Sequence, residues 1–103
     1  MANGRLGVAA PAAATNTSVY TATAAGVAIS IMAVNRSSTL DAVCRVAVAT
    51  SGSPGNTEWI EYDFTIPPNG VFERTGIVMS NAEQVVVYAS TANTTWRVNG
   101  YDS

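Results

Sequence analysis

The strongest constraint on the fold is the way turn residues divide the sequence. Runs rich in Val, Ile, Thr and aromatic residues are separated by clusters of Gly, Pro, Asn and Ser about every 8 to 14 positions. This spacing is typical of an all-β domain. It predicts strands at residues 17–23, 27–36, 42–50, 57–66, 71–79, 84–91 and 94–101. We therefore predict an antiparallel β-sandwich of about seven strands, either immunoglobulin-like or jelly-roll-like.

The first 15 residues differ in composition from the rest. A chain of 103 residues is long enough for one domain. Residues 1–15 are mostly Ala and Gly, with Pro11 near their end, and their apolar run is too short and broken for a signal peptide. We predict an extended N-terminal arm at residues 1–15 and a single sandwich domain at residues 16–103. The arm is expected to serve attachment to another chain rather than folding.

The charge composition excludes several classes of partner. The formal net charge is −2, the five cationic side chains are all Arg, and Lys is absent. Such a chain has no basic surface for nucleic acid or anionic lipid. It also lacks a run of about 20 apolar residues that a membrane-spanning helix requires. We expect neither nucleic acid nor a membrane as a partner.

Cysteine and histidine usage argues against catalysis. Cys44 is the single cysteine, and alternation in "AVCRVAVAT" places it with Val46 and Val48 on an apolar face, which predicts a buried thiol. The chain contains no histidine, so it lacks the commonest general base and the commonest transition-metal ligand. We predict a protein without enzymatic activity and without a cofactor.

The stretch "EWIEYDFTIPPNGVFERTG" concentrates charge in a chain that is 12% charged. Strict alternation predicts Ile60, Tyr62, Phe64 and Ile66 on one face and Glu61, Asp63 and Thr65 on the other. Pro67 and Asn69-Gly70 predict a turn, which suggests a hairpin with residues 71–79. Arg74 would then pair with Asp63 or Glu61. The charges are interpreted as a solvent-facing surface; a glycosidase-type carboxylate pair and a calcium site are the alternatives.

The two tryptophans have different predicted roles. Trp96 alternates with Val98 and is predicted to lie in the core. Alternation places Trp59 on the face of Glu61 and Asp63, which would expose it. Three interpretations remain open for Trp59: packing under the loop at 51–56, anchoring a protein interface, or stacking on a sugar.

A longer string resembles a known family. It reads "ATNTSVYTATAAGVAISIMAVNRSS…CRVAVATSGSP…EWIEYDFTIPPNGVFERTGIVMS…QVVVYAS" and covers roughly residues 14 to 90. It resembles small β-rich virion structural proteins of tailed bacteriophages, most specifically through "EWIEYD" followed by "NGVFERTG". The resemblance implies a structural component of the particle, either a capsid decoration protein or a tail-associated one.

These observations lead to one expected function and two alternatives. We expect a non-enzymatic virion protein that decorates and cements the outside of the capsid, binding other virion proteins and forming a homo-oligomer on the particle. A tail, baseplate or fibre-associated protein is the first alternative, and a carbohydrate-binding module is the second. The candidate interface residues are Arg5, Leu6, Val8, Trp59, Glu61, Asp63 and Arg74.

Overall fold

A computed structural model of the chain describes residues 2–24 and 26–102. Its eight strands are β1 (Ala2–Ala9), β2 (Thr17–Thr21), β3 (Val27–Asn35), β4 (Ala42–Ala49), β5 (Trp59–Ile66), β6 (Val71–Met79), β7 (Gln84–Ala89) and β8 (Thr94–Asp102). None of the described residues lies in a helix that is long and apolar enough to cross a membrane.

The strands form two antiparallel four-stranded sheets. Sheet I has the order β1-β8-β3-β6, and sheet II has the order β2-β7-β4-β5. Buried side chains from both sheets share one apolar core, so the predicted all-β antiparallel sandwich is confirmed. Trp96 and Cys44 are fully buried in this core, as predicted.

The strand count differs from the predicted seven because residues 2–9 form a strand. β1 pairs with β8 from Ala2 opposite Asp102 to Ala9 opposite Trp96. Leu6 packs against the core, and Gly7 approaches the Val19 carbonyl so closely that a Cβ would collide with it. Residues 2–9 are therefore the edge strand of sheet I and not an arm lying apart from the sandwich. Backbone pairing of this kind needs few large side chains, so strand-forming composition did not reveal it.

The predicted hairpin between β5 and β6 is wrong. β5 pairs with β4 in sheet II, whereas β6 pairs with β3 in sheet I. The turn between them docks on the end of β3, where the Asn35 amide donates to the Gly70 carbonyl at 2.9 Å and the Asn69 amide donates to the Ser37 carbonyl at 3.0 Å. A turn signal shows that the chain reverses, but it does not show that the flanking strands pair.

A buried asparagine supports this connection between the sheets. The Asn35 side-chain amide donates to the Leu40 carbonyl at 2.7 Å and to the Ile66 carbonyl at 3.0 Å, while its oxygen accepts from the Ser37 amide at 3.0 Å. All three hydrogen bonds are local to the point where the chain passes from sheet I to sheet II. Asn35 is fully buried, so these bonds compensate its desolvation.

One face of β3 is buried in the core and the other lies on the surface. Val27, Ile29, Ile31 and Ala33 point into the core, as alternation predicts. The opposite face carries Ala28, Ser30, Met32 and Val34, and these side chains are exposed or half-buried on the outer face of sheet I. A nearly continuous apolar strand therefore leaves an apolar outer surface.

Candidate functional site

Five side chains from three adjacent strands meet on the outer face of sheet II. We call this set the aromatic-arginine cluster; it consists of Arg45, Trp59, Tyr62, Asp63 and Tyr88. On β4 and β7, Arg45 stands directly opposite Tyr88. The neighbours of Arg45 in the chain, Cys44 and Val46, are fully buried on the core side, so alternation turns Arg45 outward.

A bulge in β5 places two further members of the cluster, Tyr62 and Asp63, beside Arg45. Cys44 stands opposite Phe64 and Val46 opposite Glu61, which leaves Tyr62 and Asp63 together opposite Arg45. Asp63 takes up the extra residue with a φ of 52°, a left-handed conformation that Asp tolerates better than most residues. The bulge reverses the alternation, so the predicted inward placement of Tyr62 is wrong. The side chain of Tyr62 is 56% exposed.

Arg45 lies at the centre of the cluster. Its Nε donates to Asp63 Oδ1 at 2.6 Å. Its guanidinium carbon lies 4.3 Å from the ring centroid of Tyr62 and 4.7 Å from that of Tyr88, which places the cation against two aromatic rings. The hydrogen bond to Asp63 is the main cause that raises the pKa of Arg45, so the guanidinium stays charged.

Trp59 forms the inner side of the cluster. It packs on Ala47, Ala49 and Val86, three fully buried residues on the outer side of β4 and β7. Its ring meets Tyr62 edge-on, with centroids 5.5 Å apart and planes at 73°. Trp59 is therefore half-buried and not the freely exposed side chain that alternation predicts. It holds Tyr62 in a fixed position at the surface.

Glu58 organises the loop beside Trp59, a role that the sequence analysis missed. Its carboxylate accepts from the Gly55 amide at 2.8 Å and from the Thr50 amide at 3.0 Å. The Gly55 hydrogen bond, followed by that of Thr50, lowers the pKa of Glu58. The sequence does contain a signal for this role, because the Gly- and Pro-containing loop at 51–56 is followed closely by Glu58. Loops of this kind leave backbone amides without backbone partners, and a nearby carboxylate can accept hydrogen bonds from them.

The predicted carboxylate pair is separated by the same bulge. Glu61 stands opposite the core residue Val46 and forms an ion pair with Arg74, whereas Asp63 pairs with Arg45. The placement of Glu61 and Asp63 on one face is wrong. The predicted Arg74–Glu61 pair is confirmed, although it joins edge strands of two different sheets instead of the strands of a hairpin.

The seven predicted interface residues lie in separate places. Trp59 and Asp63 belong to the aromatic-arginine cluster, and Glu61 and Arg74 lie at the β5–β6 edge of the sandwich. Arg5 and Val8 are exposed on β1, while Leu6 packs against the core and offers little surface. The seven residues do not form one continuous site.

The exposed groups of the cluster are capable of noncovalent contacts. It presents a tyrosine ring, a fixed cation and a carboxylate, which together can stack on, or hydrogen-bond to, a flat or polar ligand. Within residues 2–24 and 26–102, no group of three or more His, Cys, Asp or Glu side chains could hold a metal ion. The core thiol is unsuited to attack, because burial raises the pKa of Cys44 to about 11.

No protein-family model, no curated protein and no solved structure matches this chain.

Proposed function

We propose that the protein is a non-enzymatic structural component of a tailed-bacteriophage particle, where it decorates and cements the outside of the capsid. The resemblance of residues 14 to 90 to virion proteins of that class supports this proposal. The proposed partners are the major capsid protein and further copies of the chain, and the proposed location is the virion.

The strand order is the observation that carries the proposal. Of the seven consecutive strand pairs, β4–β5 alone is hydrogen-bonded, and every other connection crosses between the sheets. An immunoglobulin-like sandwich pairs its first two strands in one sheet, whereas a jelly roll has eight strands in two four-stranded sheets. The orders β1-β8-β3-β6 and β2-β7-β4-β5 therefore support the jelly-roll type, which is common among viral capsid domains.

The aromatic-arginine cluster is the proposed contact with the capsid. Tyr, Trp and Arg are the residues that most often dominate binding energy at protein interfaces. Here Arg45 and Trp59 already hold Tyr62 in place, so little side-chain entropy remains to be lost on binding. The chain also lacks Lys, which is depleted at interfaces.

Copy number on purified particles tests the proposal. Quantitative gel densitometry should find hundreds of copies per virion, as expected for a capsid decoration protein. A few dozen copies would favour the tail, baseplate or fibre alternative, and absence from the particle would refute both. In a binding assay with particles that lack the protein, Tyr62→Ala should weaken attachment at least about tenfold, a loss typical of an interface anchor. Asp41→Ala, at an exposed loop position, is the matched control.

A carbohydrate-binding module is the second candidate, and the exposure of Tyr62 favours it. A half-exposed ring beside a fixed cation and a carboxylate could hold a sugar, and jelly rolls also occur among lectins. A glycan array separates the candidates. Binding to a defined glycan that Tyr62→Ala abolishes would support this function, while an empty array together with particle binding would support the first.

A further inference from the structure

The outer face of sheet I carries most of the exposed large hydrophobic side chains among the described residues. Four of the seven exposed large hydrophobic side chains lie on it, and Met32 and Val34 lie between them. The four are Val8, Val71, Val78 and Tyr101. A depression of about 430 Å³ runs across β3, β6 and β8 and is lined chiefly by Met32, Val34, Val71, Glu73, Thr95 and Arg97.

The strand register arranges this face in four cross-strand rows centred on β3. Three rows take one residue each from β8, β3 and β6, and the remaining row places Asn99 beside Ser30, where a bulge interrupts the pairing with β6. The three complete rows are Tyr101–Ala28–Val78, Arg97–Met32–Glu73 and Thr95–Val34–Val71. The upper and lower rows are mainly apolar, and the middle row has an apolar centre with opposite charges at its two ends.

The two charges of the middle row form no ion pair with any residue that the structure describes. Arg97 and Glu73 stand two strand spacings apart, about 10 Å, on either side of Met32. The ion pairs within the described ranges are Arg45–Asp63 and Arg74–Glu61. Arg97 instead donates from Nε to Asn99 Oδ1 at 2.8 Å. The face therefore carries a cation, Arg97, and an anion, Glu73, that lie at equal distances from β3 and form no ion pair within the described ranges.

We propose that this face binds a second copy of the chain about a twofold axis that runs along β3. Rotation about that axis exchanges the β8 side of the face with the β6 side. Arg97 of each protomer then lies over the partner's Glu73, so two complementary contacts form at once. In the same arrangement Val78 lies over the partner's Tyr101, and Val71 lies over the partner's Thr95 at the depression.

The charge pattern selects this axis over its alternative. A twofold axis in the interface perpendicular to the strands would place Arg97 over Arg97 and Glu73 over Glu73, which is repulsive. An axis close to the strand direction is also compatible with the aligned packing of two twisted sheets, in which the strands cross at about 30°.

The overlapping part of the face suits a weak interface. Three strands, β8, β3 and β6, overlap when the axis runs along β3, and at the usual spacing with about nine residues each they cover roughly 450 Å² in projection. Two such faces bury roughly 900 Å², slightly less than the roughly 1,000 Å² of total surface that a stable, specific interface requires. We therefore expect a dimer that dissociates on dilution. The proposal does not depend on the virion assignment, since it concerns the purified chain.

Charge-swapped variants of the full chain provide the test. Analytical ultracentrifugation of the natural chain from about 1 µM to 1 mM should show a reversible monomer–dimer equilibrium. Glu73→Arg alone and Arg97→Glu alone should each weaken self-association at least about tenfold, because each places like charges together in its homodimer. An equimolar mixture of the two variants should associate, since every contact in the heterodimer pairs opposite charges.

The controls separate this arrangement from loss of folding or a general charge effect. Asp41→Arg makes the same change of charge as Glu73→Arg at an exposed loop position and should dimerise like the natural chain. Circular dichroism spectra and melting temperatures of all variants should match. A natural chain that remains monomeric at 1 mM, or a mixture of variants that does not associate, overturns the proposal.

Discussion

Cys44 and Asn35 show how position in the sandwich sets the chemistry of single polar groups. Both are fully buried. Cys44 has a neutral side chain that burial keeps protonated, while Asn35 has its amide and its carbonyl oxygen satisfied by backbone partners. Thr94 likewise accepts a hydrogen bond from Trp96 Nε1 at 3.0 Å. The buried polar groups of this core are therefore uncharged, hydrogen-bonded or both.

The Cys44 thiol should make stability fall at high pH. Burial raises its pKa from an ordinary value of 9.0 to about 11, so the unfolded chain loses this proton first. The contribution of this pKa shift to the free energy of unfolding is about 3 kcal/mol. It is fully present below pH 9 and is lost as the pH rises toward 11. Denaturant unfolding at several pH values checks this, with Cys44→Ala as the control that removes the thiol. Equal pH dependence of the two proteins would contradict the assignment.

Asp63 should be constrained more by its backbone than by its charge. Its φ of 52° is acceptable for Asp or Asn but costs a β-branched residue about 1–2 kcal/mol. Its exposed ion pair with Arg45 is screened by water and contributes little to the free energy of unfolding. Asp63→Asn should therefore be less destabilising than Asp63→Val in urea titrations. The reverse order would mean that the bulge does not form in solution.

At the scale of the element, bulges and edges determine what each strand presents. The bulge in β5 turns Tyr62 outward and separates Glu61 from Asp63. Another bulge lies in β6, where Ile29 stands opposite Ile77 but Ile31 stands opposite Arg74. β5 and β6 are the edge strands on the same side of the sandwich, and the Arg74–Glu61 ion pair connects them. Bulges are common at sheet edges, where no second neighbour enforces the register.

Two substitutions in β1 test whether this strand belongs to the sandwich. Leu6 packs against the core, whereas Val8 on the same strand is 54% exposed. Leu6→Ala should lower the free energy of unfolding by about 1–2 kcal/mol, less than a fully buried leucine because Leu6 is half-buried. Val8→Ala should change it by less than about 0.5 kcal/mol. Urea unfolding of dilute protein measures both. If both substitutions had equal and negligible effects, β1 would not contribute to the stability of the sandwich, and the predicted N-terminal arm would be the better description.

At the scale of the whole molecule, the two outer faces differ in character. Sheet II carries the aromatic-arginine cluster, with its cation fixed between two rings, and sheet I carries an apolar face flanked by Arg97 and Glu73. A chain of this kind can bind one partner with each face. The proposed capsid contact and the proposed twofold contact can therefore occur together.

The topology should make folding slow for a chain of this length. β4–β5 is the single hydrogen-bonded pair of consecutive strands, so nearly all strand pairing joins distant parts of the sequence. β1 and β8, at opposite ends of the chain, pair with each other. Domains dominated by such contacts fold in milliseconds to seconds. Stopped-flow refolding by tryptophan fluorescence should show its main phase in that range, and complete refolding within about 100 µs would contradict this expectation.

Local patterns in the sequence determined most strands, the buried side of β3, and the burial of Cys44 and Trp96. Each depends on alternation and turn residues within about ten positions, which act before distant segments meet. The sequence also indicated the Arg74–Glu61 pair, although for the wrong geometry. Tertiary structure alone decided that Ala2–Ala9 is a strand, that β5 and β6 belong to different sheets, and that Tyr62 faces outward. Each of these depends on the register against a distant strand, and a shift of one residue reverses which side chains face the core.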